Sequence, residues 1–323
     1  MAAEWEDDSS LLAVLLDVSP TGLAHLAAIP GLGLQSLLEQ LLTFLNAFTL
    51  LSDANRLAVF TAGAGGCQLA FCSPSCQPAP LMAAAGGHVA ADPWPPSAAI
   101  LSGLQRVVQQ AAAAAEVAGV QPGAAAAAAA AAAAHGGGGS CQLSSALSRV
   151  LCFIHSMQRR AAAAQGSLLG GSGGGAPPAA ERLQPARLLC LTAAPDVPSQ
   201  YIGVMNAIFS AQRSGILIDA CQLGAGHSSF LQQAAYLTGG TYLKPARPQA
   251  LTQYLNSVFA ADARSRRYLR LPGTARVDFR ASCFCHKRPI DLGFVCSACL
   301  SIFCQQLPAC TTCGTEFGAG DKK

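Results

Sequence analysis

The chain has 323 residues, of which 51% are hydrophobic, 11% charged and 6% aromatic. Much of the apolar excess is alanine, in runs at 111–115, 124–134 and 161–164, and none of these reaches the roughly 18–20 consecutive apolar residues of a spanning helix. The N-terminal MAAEWEDDSS is acidic and lacks the basic start of a signal or transit peptide, so the sequence reads as soluble and intracellular; a net charge of +3 is too small to argue for nucleic acid by itself.

Residues 1–8 form an acidic tail. Leu11–Asp17, LLAVLLD, suits a buried parallel strand with an aspartate at its carboxyl edge. Leu34, Leu37, Leu38, Leu41, Leu42, Leu45 and Phe48 recur at helical spacing, which predicts an amphipathic helix over 33–51. NRLAVFT (55–61) and residues 67–71 read as two strands joined by the hairpin link GAGG. A Pro- and Gly-containing loop follows over 73–97, then a helix over 98–118. Two low-complexity inserts, at about 119–140 and 161–184, flank a helix at about 141–160.

Order resumes with RLLCLT (187–192), a strand, and a helix over 199–214. Another strand, GILIDACQ (215–222), precedes a helix over 228–238 that begins at a serine cap. A short strand at 239–243 and a helix over 248–260 complete the pattern. This alternation predicts an α/β fold over residues 9–260: a doubly wound, mostly parallel sheet with one antiparallel strand. Residues 261–280 read as a link, basic at Arg264, Arg266, Arg267 and Arg270, and a solvated face explains that charge better than nucleic acid does. A small cysteine-rich module occupies 281–317, and 318–323 is a tail.

Two places carry candidate chemistry. The first is Asp17-Val18-Ser19-Pro20-Thr21, beyond the carboxyl end of the first strand, where open α/β sheets bind ligands. In D-x-S-x-T spacing, one carboxylate and two hydroxyls can converge on a hard divalent cation such as Mg²⁺. Alternatively, Ser19 and Thr21 cap the turn and the helix after it. Motif and topology together resemble the von Willebrand factor A domain. Members of that family that bind Mg²⁺ use D-x-S-x-S, a threonine from a second loop and an aspartate from a third. Here the third loop is Thr192-Ala193-Ala194-Pro195-Asp196, so Asp196 stands later than the usual aspartate. The second-loop threonine has no clear match, Ser140 and Ser144 being nearest. Asp17, Ser19 and Thr21 are therefore expected to form a degenerate loop without Mg²⁺, in a domain that serves as a protein-binding scaffold.

The second place is the run Cys283-x-Cys285-x10-Cys296-x2-Cys299-x4-Cys304-x5-Cys310-x2-Cys313, with His286 beside Cys285; it holds seven of the fourteen cysteines. Such a cluster in an intracellular chain points to Zn²⁺ rather than disulfides. Each C-x-x-C aims two thiolates at one tetrahedral ion. The simplest set is Cys283, Cys285, Cys296 and Cys299, with Cys304, Cys310, Cys313 and His286 available for a second ion. A ribbon alternative joins Cys296 and Cys299 to Cys310 and Cys313. Seven cysteines and one histidine also match the eight ligands of a two-zinc, RING-like module. Four thiolates leave no open coordination position, so the zinc is expected to be structural.

Four strings carry a more specific resemblance: SALSRVLCFIHSM (145–157), NAIFSAQRSGILIDACQLG (206–224), LQQAAYLTGGTYLKP (231–245) and VDFRASCFCHKRPIDLGFVCSACLSIFCQQLPACTTC (277–313). They resemble the family of smaller von Willebrand factor A-domain subunits of the general transcription and repair factor TFIIH. The resemblance implies an A domain followed by a C4-type zinc finger, with no catalytic activity. It implies a nuclear scaffold that binds the larger A-domain, RING-bearing subunit, supports the helicases in RNA polymerase II initiation and nucleotide excision repair, and meets DNA through the complex. Neither a membrane nor a small-molecule substrate is implied.

The residues agree with that expectation. No G-x-x-x-x-G-K-[ST] occurs. His25 and His155 sit in apolar helical contexts, and His227 lies in a Gly-rich loop at a strand end without an evident partner. Two other readings compete. One is an adhesion-type module in which Mg²⁺ at Asp17 captures a partner carboxylate. The other is a RING-like ubiquitin ligase subunit, although the first pair here is C-x-C and the central histidine is missing.

Overall fold

The computed structural model describes residues 10–52, 55–63, 66–73, 97–117, 141–168, 186–272, 280, 283–286 and 290–317. The chain divides into two units, Met1–Ala275 and Arg276–Lys323.

The first unit is built on a six-stranded sheet. Its strands are β1 (Leu11–Asp17), β2 (Arg56–Gly63), β3 (Gly66–Cys72), β4 (Ala186–Thr192), β5 (Leu217–Gln222) and β6 (Tyr242–Leu243), in the order β3-β2-β1-β4-β5-β6. All neighbours are parallel except β2 and β3, the hairpin pair. The helices are α1 (Pro20–Ala27), α2 (Leu34–Leu51), α3 (Ser97–Val117), α4 (Leu143–Leu168), α5 (Tyr201–Arg213), α6 (Ser229–Thr238) and α7 (Leu251–Tyr254), which continues as a π-helical turn, Leu255–Phe259.

The central strand shows why LLAVLLD is apolar throughout. Side chains of a strand alternate between faces. Leu11, Ala13 and Leu15 enter one core with Leu147 and Ile154 of α4, Ile208 of α5 and Leu231 of α6. Leu12, Val14 and Leu16 enter the other with Leu37, Leu41, Phe44, Leu45 and Phe48 of α2 and Leu255 of the π turn. A parallel sheet covered on both faces needs this continuous apolar run rather than alternation. Helix α2 is, by length and composition, apolar enough to cross a membrane. Its apolar stripe fills the second core, while Gln35 and Glu39 bond each other on the exposed side.

Three expectations change. Helix α4 runs to Leu168, well into the stretch expected to be an insert, because a run of alanines continues a helix at little cost. Residues 119–140, 169–184 and the tails lie outside the described residues. The last helix begins as a 3₁₀ turn, Pro248–Ala250, and ends as a π turn. Finally, the basic stretch after residue 260 is partly structural. Arg266 makes a two-pronged ion pair with Asp219 of β5, at 2.7 and 2.6 Å, and both side chains are buried. Close by, buried Arg187 of β4 donates to the carbonyls of Phe259 and Ala261, at 2.9 and 2.6 Å. Burial lowers the Arg187 pKa, and the Asp219 carboxylate opposes that effect.

Among its described residues the second unit forms a small antiparallel hairpin, β7 (Phe294–Val295) and β8 (Ile302–Phe303), around a core of Cys296, Phe303 and Cys310.

Candidate switch-point and metal sites

Strands β1 and β4 are neighbours from which the order of strands departs in opposite directions. The crevice beyond their carboxyl ends is where ligands bind in such sheets. Asp17, Ser19 and Thr21 meet there, and all three are buried. The Asp17 carboxylate accepts from the backbone N–H of Ser19 at 3.0 Å and from that of Ala194 at 3.2 Å, which ties the β1 loop to the β4 loop. Ser19 is the N-cap of α1: its hydroxyl accepts from Gly22 N–H at 3.1 Å and lies 3.2 Å from the Thr21 hydroxyl. Pro20 at the first helical position suits this cap, since its missing N–H has no partner to lose. Gly22 is required by closeness: a Cβ there would stand 2.3 Å from Asp17 Oδ2.

The remaining members of the predicted cation loop turn elsewhere. Asp196 caps α6, with one oxygen accepting from the Ser228 hydroxyl and the other from the Ser229 hydroxyl at 2.8 Å and Phe230 N–H at 3.0 Å. A carboxylate at a helix N-terminus meets orphan N–H groups and the positive end of the dipole. Ser144 N–H donates to the Gln200 side chain at 3.0 Å, and Ser140 lies outside the described residues. The second-loop position facing Asp17 is filled instead by Cys141. Its burial, and then the neighbouring Asp17 carboxylate, raise the Cys141 pKa far above the ordinary range, so it stands as a neutral thiol bonded to Asp17. A pocket of about 20 Å³ remains among Asp17, Cys141, Thr192, Asp196, Gln200 and Ser228, room for one water-sized body.

No motif in the sequence singles out Cys141, Thr192, Gln200 or Gln222. The Thr192 hydroxyl donates to Gln222 Oε1 at 2.6 Å, and Gln222 Nε2 donates to the Ala194 carbonyl at 3.2 Å. Position at a strand's carboxyl end was the available signal for these two. His227 does find a partner: its Nδ1 lies 3.1 Å from the Tyr242 hydroxyl. His155 lies 2.9 Å from the Ser214 hydroxyl, and His25 is exposed.

In the second unit, all eight predicted metal-ligating residues fall into two groups, each with its ligand atoms within 4.8 Å of one another. One is Cys296, Cys299, Cys310 and Cys313; the other is Cys283, Cys285, His286 and Cys304. The pairing ranked first from spacing, Cys283 and Cys285 with Cys296 and Cys299, does not form. The hairpin prevents it. Cys296 follows β7 at the turn end, where its N–H donates to Ser301, whereas Cys304 follows β8 at the open end.

The four-cysteine group fits Zn²⁺ by its donor chemistry. Four sulfurs about 2.3 Å from one ion stand roughly 3.8 Å apart in a tetrahedron. Cys296 and Cys313 are 3.7 Å apart, and Cys299 and Cys310 3.5 Å. Each C-x-x-C turn aims backbone N–H groups at its first sulfur: Ala298 and Cys299 at Cys296, Thr312 and Cys313 at Cys310. The Thr315 hydroxyl and N–H pull the Cys313 pKa down to about 6, which favours the thiolate that a metal requires.

Comparison with known proteins agrees with this architecture. The family model described as "Transcription factor Tfb4" matches residues 9–314. The chain is similar to the Arabidopsis thaliana general transcription and DNA repair factor IIH subunit TFB4, 36% identical over 98% of this chain and 91% of that one. It is also similar to the Schizosaccharomyces pombe subunit tfb4, 32% identical over 98% and 93%. The Dictyostelium discoideum general transcription factor IIH subunit 3 is 54% identical over 41% of this chain and 35% of that one. Among solved structures, the TFIIH p34 N-terminal domain shares the fold, with a TM-score of 0.54 and 24% identity, covering 77% of this chain and 97% of that one. Family and fold converge: the chain belongs to the Tfb4 family of transcription factors.

Proposed function

We propose that this protein is a non-catalytic scaffold subunit of the TFIIH core complex, working in transcription initiation and nucleotide excision repair in the nucleus. The observation that carries this reading is the continuous similarity, through both units, to the Arabidopsis TFIIH subunit TFB4. The switch-point crevice supports it. Asp17, Asp196 and Gln222, the residues best placed for chemistry, are engaged with this chain's own backbone. In the proposed assembly the A domain binds the larger A-domain subunit and thereby supports the helicases. Cys296, Cys299, Cys310 and Cys313 hold one structural Zn²⁺, whose role is to fix the fold of the small unit.

The test is co-purification of the tagged chain from nuclear extract. The helicases and the larger A-domain subunit are expected in the eluate in fixed proportion. Recovery as a monomer free of helicases would overturn the proposal.

A further inference from the structure

The second group of ligand atoms lies at the opposite end of the hairpin from the four-cysteine set. Cys285 Sγ is 3.5 Å from Cys304 Sγ and 3.2 Å from His286 Nδ1, and His286 Nδ1 is 3.1 Å from Cys304 Sγ. The Cys283 sulfur closes the group, within 4.8 Å of the other three ligand atoms, and that residue is buried. We infer that Cys283, Cys285, His286 and Cys304 form a second Zn²⁺ site, of three thiolates and one imidazole.

The local sequence builds this site in a specific way. Phe284 N–H donates to the Ile302 carbonyl at 2.8 Å, which lays the C-F-C-H segment beside β8. Phe284 then packs towards Phe303, ring centroids 6.5 Å apart, in the small core. Its neighbours Cys283 and Cys285 are left to face Cys304, the residue after Phe303. Donor chemistry points to zinc: sulfur with imidazole in a four-ligand set is its common structural environment, whereas calcium and magnesium take oxygen. A Cys285–Cys304 disulfide is a poorer account. Its sulfurs would have to close from 3.5 Å to about 2.05 Å, and the convergence of Cys283 and His286 would go unexplained.

The order of ligands along the chain adds a physical reason for two ions. Cys304 lies between the two C-x-x-C pairs of the other site. Each site therefore closes a loop that contains a ligand of its neighbour, and one ion alone leaves an end of the hairpin unfastened. The core of this unit consists of Cys296, Phe303 and Cys310 with a few half-buried neighbours, and a unit so small usually needs such staples. The inference rests on this geometry and stands apart from the assembly proposed above.

Metal content of the purified full-length chain, read by native mass spectrometry and elemental analysis, tests it. Two Zn²⁺ per chain are expected in the wild type, one in Cys304→Ser and one in Cys299→Ser. Replacement by Co²⁺ identifies the sites, because a three-sulfur, one-nitrogen site absorbs at shorter wavelength than a four-sulfur site. The wild type is expected to show both components. His286→Ala, which leaves every thiolate and the core in place, is expected to lose the mixed component alone. A single Zn²⁺ in the wild type overturns the inference. So does a cobalt spectrum that His286→Ala leaves unchanged.

Discussion

Asp17→Asn separates a structural switch-point loop from a cation site. The carboxylate accepts two backbone N–H bonds, from Ser19 at 3.0 Å and Ala194 at 3.2 Å, and is buried. An amide of the same shape keeps one acceptor and turns an NH₂ towards the other N–H. One buried donor then loses its partner, at about 1–3 kcal/mol, and the surviving bond loses its charge assistance, about 1 kcal/mol more. The sum, roughly 2–4 kcal/mol, is measured by urea unfolding of the full chain. A fall in Tm of ~2–4 °C per kcal/mol follows for a unit of this size. Mg²⁺ is the control. A ligand at 1,000 times its Kd stabilises the folded state by about 4 kcal/mol. On the present reading, Mg²⁺ leaves the wild-type midpoint where it was. A variant within ~0.5 kcal/mol of wild type, or a wild type that Mg²⁺ stabilises and Asp17→Asn does not, would refute the reasoning.

Three more perturbations follow from the same geometry. Gly22→Ala places a Cβ 2.3 Å from Asp17 Oδ2, so a loss of about 1–3 kcal/mol is expected, in urea, with the strain at the β1–α1 turn. Asp196→Ala removes the bonds to Ser228, Ser229 and Phe230; about 1–2 kcal/mol should be lost, and hydrogen exchange should quicken in the first turn of α6. Asp219→Asn should cost about 3–5 kcal/mol, and more than Arg266→Met, because Asp219 compensates both Arg266 and the buried Arg187. Thermal unfolding of the two variants side by side checks that order, and its reversal would show that Arg187 does not draw on the Asp219 charge.

How much of this was legible in sequence depends on the range of the interaction. LLAVLLD announces a buried strand because burial on both faces needs apolar residues at both parities. The helical spacing of Leu37, Leu41, Leu45 and Phe48 announces α2 for a similar local reason. Ser19 as a cap is local too. By contrast, Asp219 and Arg266 meet across 47 positions, and nothing near Arg266 distinguishes it from Arg264 or Arg267. Cys141 carries no local signal, because its role exists only once the chain returns to Asp17. The cysteine spacing announced metal chemistry but not the partition. C-x-C and C-x-x-C say which thiols can share an ion with their neighbours, while the four-residue gap from Cys299 to Cys304 suits several partitions. A hairpin two residue pairs long makes the choice, by sending Cys296 and Cys304 to opposite ends.

The two units thus solve the same problem by different means. Polar groups converging at one point are costly to bury unless something satisfies them. In the first unit that is the chain's own backbone: Asp17 bridges two loops, Asp196 caps a helix, and Gln222 links Thr192 to the Ala194 carbonyl. In the second unit the converging groups are thiols and an imidazole. They lie at metal-ligand spacing, each group's ligand atoms within 4.8 Å of one another. Dependence on metal should therefore be confined to the second unit. Chelation should release residues 283–317 to rapid hydrogen exchange while leaving β1, β4 and β5 protected, and Asp17→Asn should do the reverse. If chelation exposed the central strands as well, the assignment of metal dependence to the cysteine unit alone would be wrong.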